Sequence, residues 1–179
     1  MKTDSDCRFF KYYEPVVPGI IQSSLSNPDD VFGYSEILFW AIVSTGARKY
    51  QCDPTLLESL RNPVARLAQH SLLIPDHATA NIQAAIILCL WPLPMETLFG
   101  VPSHAIAGAA MQLAVQIGLP YSKSRQDFIR TAIQNSANDE GFRDRLWVYC
   151  TIVFQRFAAL LIEKHPPSLT VLHLQCKLD

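Results

Sequence analysis

From His77 to Ser122 apolar positions follow one another so closely that Glu96 is the sole formally charged residue, and the spacing around it is helical. Two consecutive helices are therefore predicted to be buried on most of their circumference. The first is expected from about Ala78 to Trp91 and must stop there, because Pro92 and Pro94 cannot continue it. A loop follows through Pro102. Ser103 caps the second helix, along which His104, Gly108, Gln112 and Gln116 recur every four residues as a narrow polar stripe while Ile106, Ala110, Leu113 and Ile117 face elsewhere. Gly118 supplies a left-handed C-terminal residue, and Pro120 prevents resumption. Ala105, Ala107, Gly108, Ala109, Ala110 and Ala114 leave room for a neighbouring helix backbone, which is a packing device before it is anything else.

Upstream, Ser35 offers a capping oxygen to a helix whose segment Ile37 to Val43 is almost wholly apolar, and Arg48 with Lys49 complements its C-terminal dipole. Asp53 with Pro54 opens the next helical segment through Leu56, Leu57 and Leu60. Asn62 with Pro63 repeats the device, so the stretch to Leu73 is expected to be kinked or split in two, with Val64, Leu67 and Ala68 inward. Residues 1–33 hold Pro15, Pro18, Gly19 and Pro28 among aromatics and read as mostly extended, with room for a short helix over Cys7 to Tyr13 and with the aromatics docked on the body.

Downstream, Gln126 to Asn135 is weakly amphipathic through Phe128, Ile129, Ala132 and Ile133. The longest helix follows. Asn138 caps it, Asp139 and Glu140 suit its positive end, and Phe142, Leu146, Tyr149, Cys150, Val153, Phe157, Leu160 and Leu161 step by three and four until Pro166 and Pro167. Ser168 to Asp179 has strand-like content without helical periodicity. The organisation is thus an extended segment 1–33, an all-α multi-helix domain 34–167, and a tail 168–179.

With 179 residues the chain fits one domain or most of one. Its net charge of -1 provides no overall field toward nucleic acid or an anionic membrane. Cys7, Cys52, Cys89, Cys150 and Cys176 are too dispersed for a disulfide framework or a metal-ligand spacing, which suits a reducing compartment. Met1 to Phe10 contains Lys2, Asp4, Asp6 and Arg8, unlike a secretory signal. The run Ala84 to Met95 contains two prolines and falls short of the roughly 20 residues of a bilayer span, so a soluble protein is expected.

Chemistry finds little purchase. His70 and His77 would share a helical face only without Pro75, and no further ligands complete a metal set. Ser103 beside His104 lacks a nucleophile elbow and reads as a cap, although His104 is the one base that an enzymatic reading could nominate. Gly100, Gly108 and Gly118 have neither P-loop nor dinucleotide-binding spacing. Lys123, Arg125, Arg130, Arg143 and Arg145 alternate with Asp127, Asp139, Glu140 and Asp144 and predict a solvated, ion-paired face. Trp40, Trp91 and Trp147 are expected to fill the core. No catalytic residue, metal ligand or DNA contact is assigned, and the identity of any ligand-binding residues stays open.

Four stretches carry a resemblance: Leu38 to Tyr50, Ala80 to Trp91, Gly108 to Pro120, and Arg143 to Cys150. Within them, Ala110, Ala114, Gly118 and Leu119 form A-x-x-x-A-x-x-x-G-L, followed by Arg143, Arg145 and Trp147 as R-x-R-x-W. In this order they resemble the middle homology region of fungal zinc-cluster transcription factors, with Lys164 to Pro167 similar to a proline-containing turn of that family. Phe9, Tyr12, Pro15 and Pro18, followed by Leu38, Phe39 and Trp40, are similar to the branch of leucine-biosynthesis and weak-acid-response regulators.

The resemblance implies a non-enzymatic, all-helical regulatory domain of a nuclear activator or repressor, one that answers to a metabolite or to partner proteins and is incomplete at its C-terminus. It further implies a homo- or heterodimer in contact with the transcription machinery. The family's DNA-binding module holds zinc on six closely spaced cysteines; this chain has none of that pattern, so no cofactor, nucleic-acid contact or membrane contact is expected of it. The alternative is a stand-alone helical module that dimerises with, or competes against, full-length relatives.

Overall fold

A computed structural model describes residues 8–22, 25, 27–50, 53–73, 77–94, 103–121 and 137–164, with backbone alone for 121, 137–140 and 160–164. The described residues form helices joined by turns, with no strand among them: α1 over residues 8–12, α2 (Pro28–Tyr34), α3 (Glu36–Ala47), α4 (Leu56–Leu73), α5 (Ala78–Leu90), α6 (Ser103–Gln116) and α7 (Ala137–Lys164). Short 3-10 turns cover Glu14–Val16 and Leu119–Tyr121. The all-helical expectation is met.

α5 lies at the centre, touching α3, α4, α6 and α7. Every residue from Ala80 to Cys89 is buried, as a helix apolar on all sides requires. Its two polar members are held by carbonyls. Asn81 Nδ2 donates to Ser71 O of α4 at 2.7 Å, and Gln83 Nε2 donates to Ile20 O of the N-terminal segment. Partnering of this kind is what makes a buried amide tolerable.

Punctuation read from the sequence accounts for most helix ends. The hydroxyl of Ser35 accepts from Leu38 N at 3.4 Å at the head of α3. Asp53 Oδ1 accepts from Thr55 N and from Thr55 Oγ1, at 3.0 and 2.6 Å, ahead of α4. Those bonds, above all the one from the Thr55 hydroxyl, hold the Asp53 carboxyl below its ordinary range. Gly118 adopts φ +70, the left-handed conformation that ends α6.

Of two expectations, one is narrowed and one corrected. α4 is a single element running through Pro63, not two helices. One proline removes one N–H, and Val64, Ala65 and Ala68 beyond it are buried, so packing carries the helix across the gap. The segment 1–33 is less extended than expected: besides α1 and the 3-10 turn it enters α2 at Pro28, with Pro28 at the first turn and Asp29 and Asp30 at the positive end. Its aromatics do dock, since Phe9 and Tyr13 are buried and meet Trp91 edge-on at centroid distances of 6.3 and 5.1 Å. The amphipathic stretch Gln126 to Asn135 and the tail Ser168 to Asp179 lie outside the described residues.

Candidate functional site

The two sequence motifs lie on adjoining helices, α6 and α7, and Arg143 joins them across their seam. Ala110 and Ala114 are buried on α6, where their small side chains suit close approach by the neighbouring α5 and α7. Gly118 N donates to Val115 O at 3.0 Å as the chain turns, and Leu119 is buried directly after it. Arg143, near the start of α7, crosses the seam: its Nη2 donates to Ile117 O at 3.1 Å. That carbonyl lies just past the last residue of α6, at the helix end where geometry leaves acceptors without intrahelical donors. The sequence had placed Arg143 on a solvated, ion-paired face, and the structure corrects its being solvated. Arg143 is 7% exposed and does the work of a C-terminal cap from another helix.

Arg145 and Trp147 diverge from Arg143. Arg145 is exposed and lies along the N-terminal segment, so close to Gly19 that a Cβ on that glycine would sit 3.0 Å from Arg145 Nε. Gly19 has φ +71, and its N–H donates to Glu14 Oε1 at 3.3 Å. One turn along α7 from Arg145, Tyr149 donates its hydroxyl to Pro18 O at 3.0 Å. Burial raises the Tyr149 phenol, with the charge of Arg145 opposing the rise and that of Glu14 adding to it. Trp147 is half-buried against the core, and its carbonyl accepts Thr151 Oγ1 at 2.9 Å. The seam therefore fastens α7 to α6 on one side and to the Glu14–Ile20 segment on the other.

The other sequence candidates stay apart. His104 is exposed on α6, and the Ser103 carbonyl accepts Cys89 Sγ at 3.4 Å. His70 is exposed near the end of α4, whereas the His77 ring faces Tyr34 at 5.6 Å. Among the described residues no three His, Cys, Asp or Glu side chains cluster as metal ligands. Cys89 and Cys150 are buried free thiols; burial pushes Cys89 up to about 12, with Cys150 adding to the rise, and pushes Cys150 up to about 11. Lys123, Arg125 and Arg130 lie outside the described residues. No helix among the described residues is long and apolar enough to cross a membrane.

One feature escaped the sequence altogether. A half-open groove of about 330 Å³ lies between α3 and α4, lined by Glu36, Trp40, Leu60, Pro63, Val64 and Leu67. Its lining residues are apolar apart from Glu36 at the head of α3. Pro63 contributes ring surface and, lacking an N–H, leaves the Ser59 carbonyl without its usual helical donor. The volume is at the lower end of small-molecule sites, roughly 300–1,000 Å³. No periodicity in either helix signals it, since it exists only where the two helices cross.

Scanned against known protein families, the chain matches none, and no solved structure matches it. Curated proteins do. It is 31% identical over 164 residues to the transcriptional regulatory protein SEF1 of Candida albicans, covering 90% of this chain and 17% of that protein. It is also 31% identical over 156 residues to SEF1 of Kluyveromyces lactis and 30% identical over 141 residues to SEF1 of Saccharomyces cerevisiae, covering 86% and 78% of this chain and 13% and 12% of those proteins. The chain spans less than a fifth of the length of the curated relatives it matches. Over most of its own length, then, this chain is similar to one short stretch of the fungal SEF1 transcription regulators.

Proposed function

We propose that this chain is a regulatory segment of a fungal nuclear transcription regulator: a non-enzymatic helical body that responds to a metabolite or partner, while DNA is bound by a zinc-cluster module on other polypeptide. The observation that carries the reading is the similarity to SEF1 proteins over 78–90% of the chain. The motif residues agree with it. Arg143 ties α7 to the end of α6 beside Gly118 and Leu119, Ala110 and Ala114 are buried on α6, and Arg145 reaches the N-terminal segment, as befits an element that transmits a packing change. The α3–α4 groove is where an effector would seat, with its apolar body against Trp40, Leu60, Val64 and Leu67 and any cationic group toward Glu36.

The test is a fusion of this chain to a heterologous DNA-binding module on a reporter promoter in yeast. The fusion is expected to shift reporter output relative to the module alone, and Leu67→Trp, which narrows the groove from a partly buried lining position, is expected to change that shift. Output indistinguishable from the module alone at matched protein level would overturn the reading. A second reading, a helical module that dimerises with or competes against full-length relatives, is favoured by the apolar side chains that α7 turns outward, Val148 and Ile152.

A further inference from the structure

α7 buries Phe142, Leu146, Cys150 and Val153 against the body, so its opposite face is fixed by geometry. At 3.6 residues per turn, Val148 and Ile152 each lie within about 20° of the point diametrically opposite Cys150. They are 51% and 52% exposed. Single exposed aliphatics are ordinary, but these two are consecutive members of one ridge of residues four apart, and the ridge ends in opposite charges. Its order is Asp144, Val148, Ile152, Arg156, and all four are exposed.

That ridge is self-complementary under a two-fold rotation. Asp144 and Arg156 are equidistant from Cys150, as are Val148 and Ile152. Asp144 and Arg156 are about 18 Å apart along the helix, too far to pair with each other. Turned end for end, a second α7 brings Arg156 of the partner subunit level with Asp144, and Ile152 of the partner subunit level with Val148. Each contact then occurs twice, as an isologous interface demands. Ridges of residues four apart pack at a crossing angle of roughly -50°. A crossing of that kind also compensates for the positions of Asp144 and Arg156, which sit about 60° to either side of the apolar pair.

We propose that two copies of this chain associate through the outer face of α7, antiparallel about a dyad at the level of Cys150, with Val148 against Ile152 at the centre and Asp144 against Arg156 at both ends. The second copy is chosen over a foreign partner because the charge order on the ridge complements its own reversal. The proposal supplies the second reading above with a contact surface. Its failure leaves the regulatory reading standing, since oligomeric state and reporter output are separate measurements.

Sedimentation equilibrium of the full chain over a broad concentration range is the test, with circular dichroism confirming that each variant keeps its helix content and cooperative melt. The chain is expected to sediment as a reversible dimer. Val148→Lys with Ile152→Lys is expected to weaken it at least about tenfold, because like charges are then opposed across a desolvated contact. Asp144→Arg or Arg156→Asp alone should weaken it, and the two together should restore it, since the reversed pair is again complementary. A monomer at all concentrations overturns the proposal, as does a dimer indifferent to Val148 and Ile152. A dimer lost on the single charge changes but not regained in the double swap overturns the antiparallel register, and association with another protein but not with itself assigns the face to that partner.

Discussion

Gln83, in the middle of α5 and 1% exposed, donates its side-chain Nε2 to the carbonyl of Ile20, 63 positions earlier in the chain. The bond ties the central helix to the N-terminal segment at a point where neither group has water. Gln83 Oε1 has no partner among the described residues. Gln83→Ala removes the donor and opens a void, and it is expected to cost about 2–4 kcal/mol. Gln83→Leu fills the void and removes the unsatisfied oxygen, so it should cost less. Urea denaturation midpoints at unchanged slope check the order; equal midpoints for both variants and the parent would show that the bond contributes nothing.

Arg143 and Gly118 act on the same helix end by different means. Arg143→Met keeps the apolar stem but strips the donor from Ile117 O, with an expected loss of about 1.5–3 kcal/mol for a charged donor. Gly118→Ala forces a Cβ into the left-handed region at a cost of about 1–2 kcal/mol. Because both changes loosen one turn, the double variant is expected to lose less than the sum. A double-mutant cycle by chemical denaturation measures the coupling, and strict additivity would separate the two roles.

Cys89 and Cys150 carry a pH signature. Both thiols have folded-state values raised above their ordinary one, to about 12 and about 11, so the folded protein keeps protons that the unfolded chain releases. The stability they contribute is intact below about pH 9 and declines as pH rises toward 11 to 12, with a limiting slope of about 1.4 kcal/mol per pH unit per thiol. Denaturation at pH 8 and pH 10 should show the loss, and Cys89→Ser with Cys150→Ser should flatten it. Rapid alkylation of both thiols in the native protein at pH 8 would contradict the burial that causes the shift.

Pro63 offers a change in the opposite direction. Pro63→Ala restores an N–H to the Ser59 carbonyl and a good helix former to α4, which is expected to stabilise the protein by about 1–2 kcal/mol after allowing for the freer unfolded chain. It also removes ring surface from the α3–α4 groove. A raised melting temperature together with an altered reporter shift would tie that proline to the groove and not to folding.

Helix boundaries were legible where a single residue type decides the matter. Ser35 as a cap, Pro92 and Pro94 as stops and Gly118 as a left-handed terminus act locally and appear in the structure as read. The enclosure of α5 was legible because Ala80 to Cys89 has no polar side to offer apart from two amides. α2 was missed although Pro28, Asp29 and Asp30 form a helix start, because seven residues containing Gly33 give no periodicity to recognise. Arg143 was misplaced for a different reason: its window is crowded with charges, and its burial depends on the approach of Ile117 from another part of the chain, whose carbonyl accepts from its guanidinium. The groove and the outward pair Val148 and Ile152 belong to the same class. Their meaning depends on which side of a helix the rest of the molecule occupies, and α7 has apolar residues on both sides.

The 28 residues of α7 make a rod about 42 Å long, and among its described side chains the fully buried ones run from Phe142 to Val153, with Phe157 packed partly buried beyond them. Arg143, Arg145 and Tyr149 fasten the rod within its first half. A small tilt there is magnified along the remaining length of the rod, so slight repacking around Ile117 or Gly19 becomes a larger displacement farther along α7.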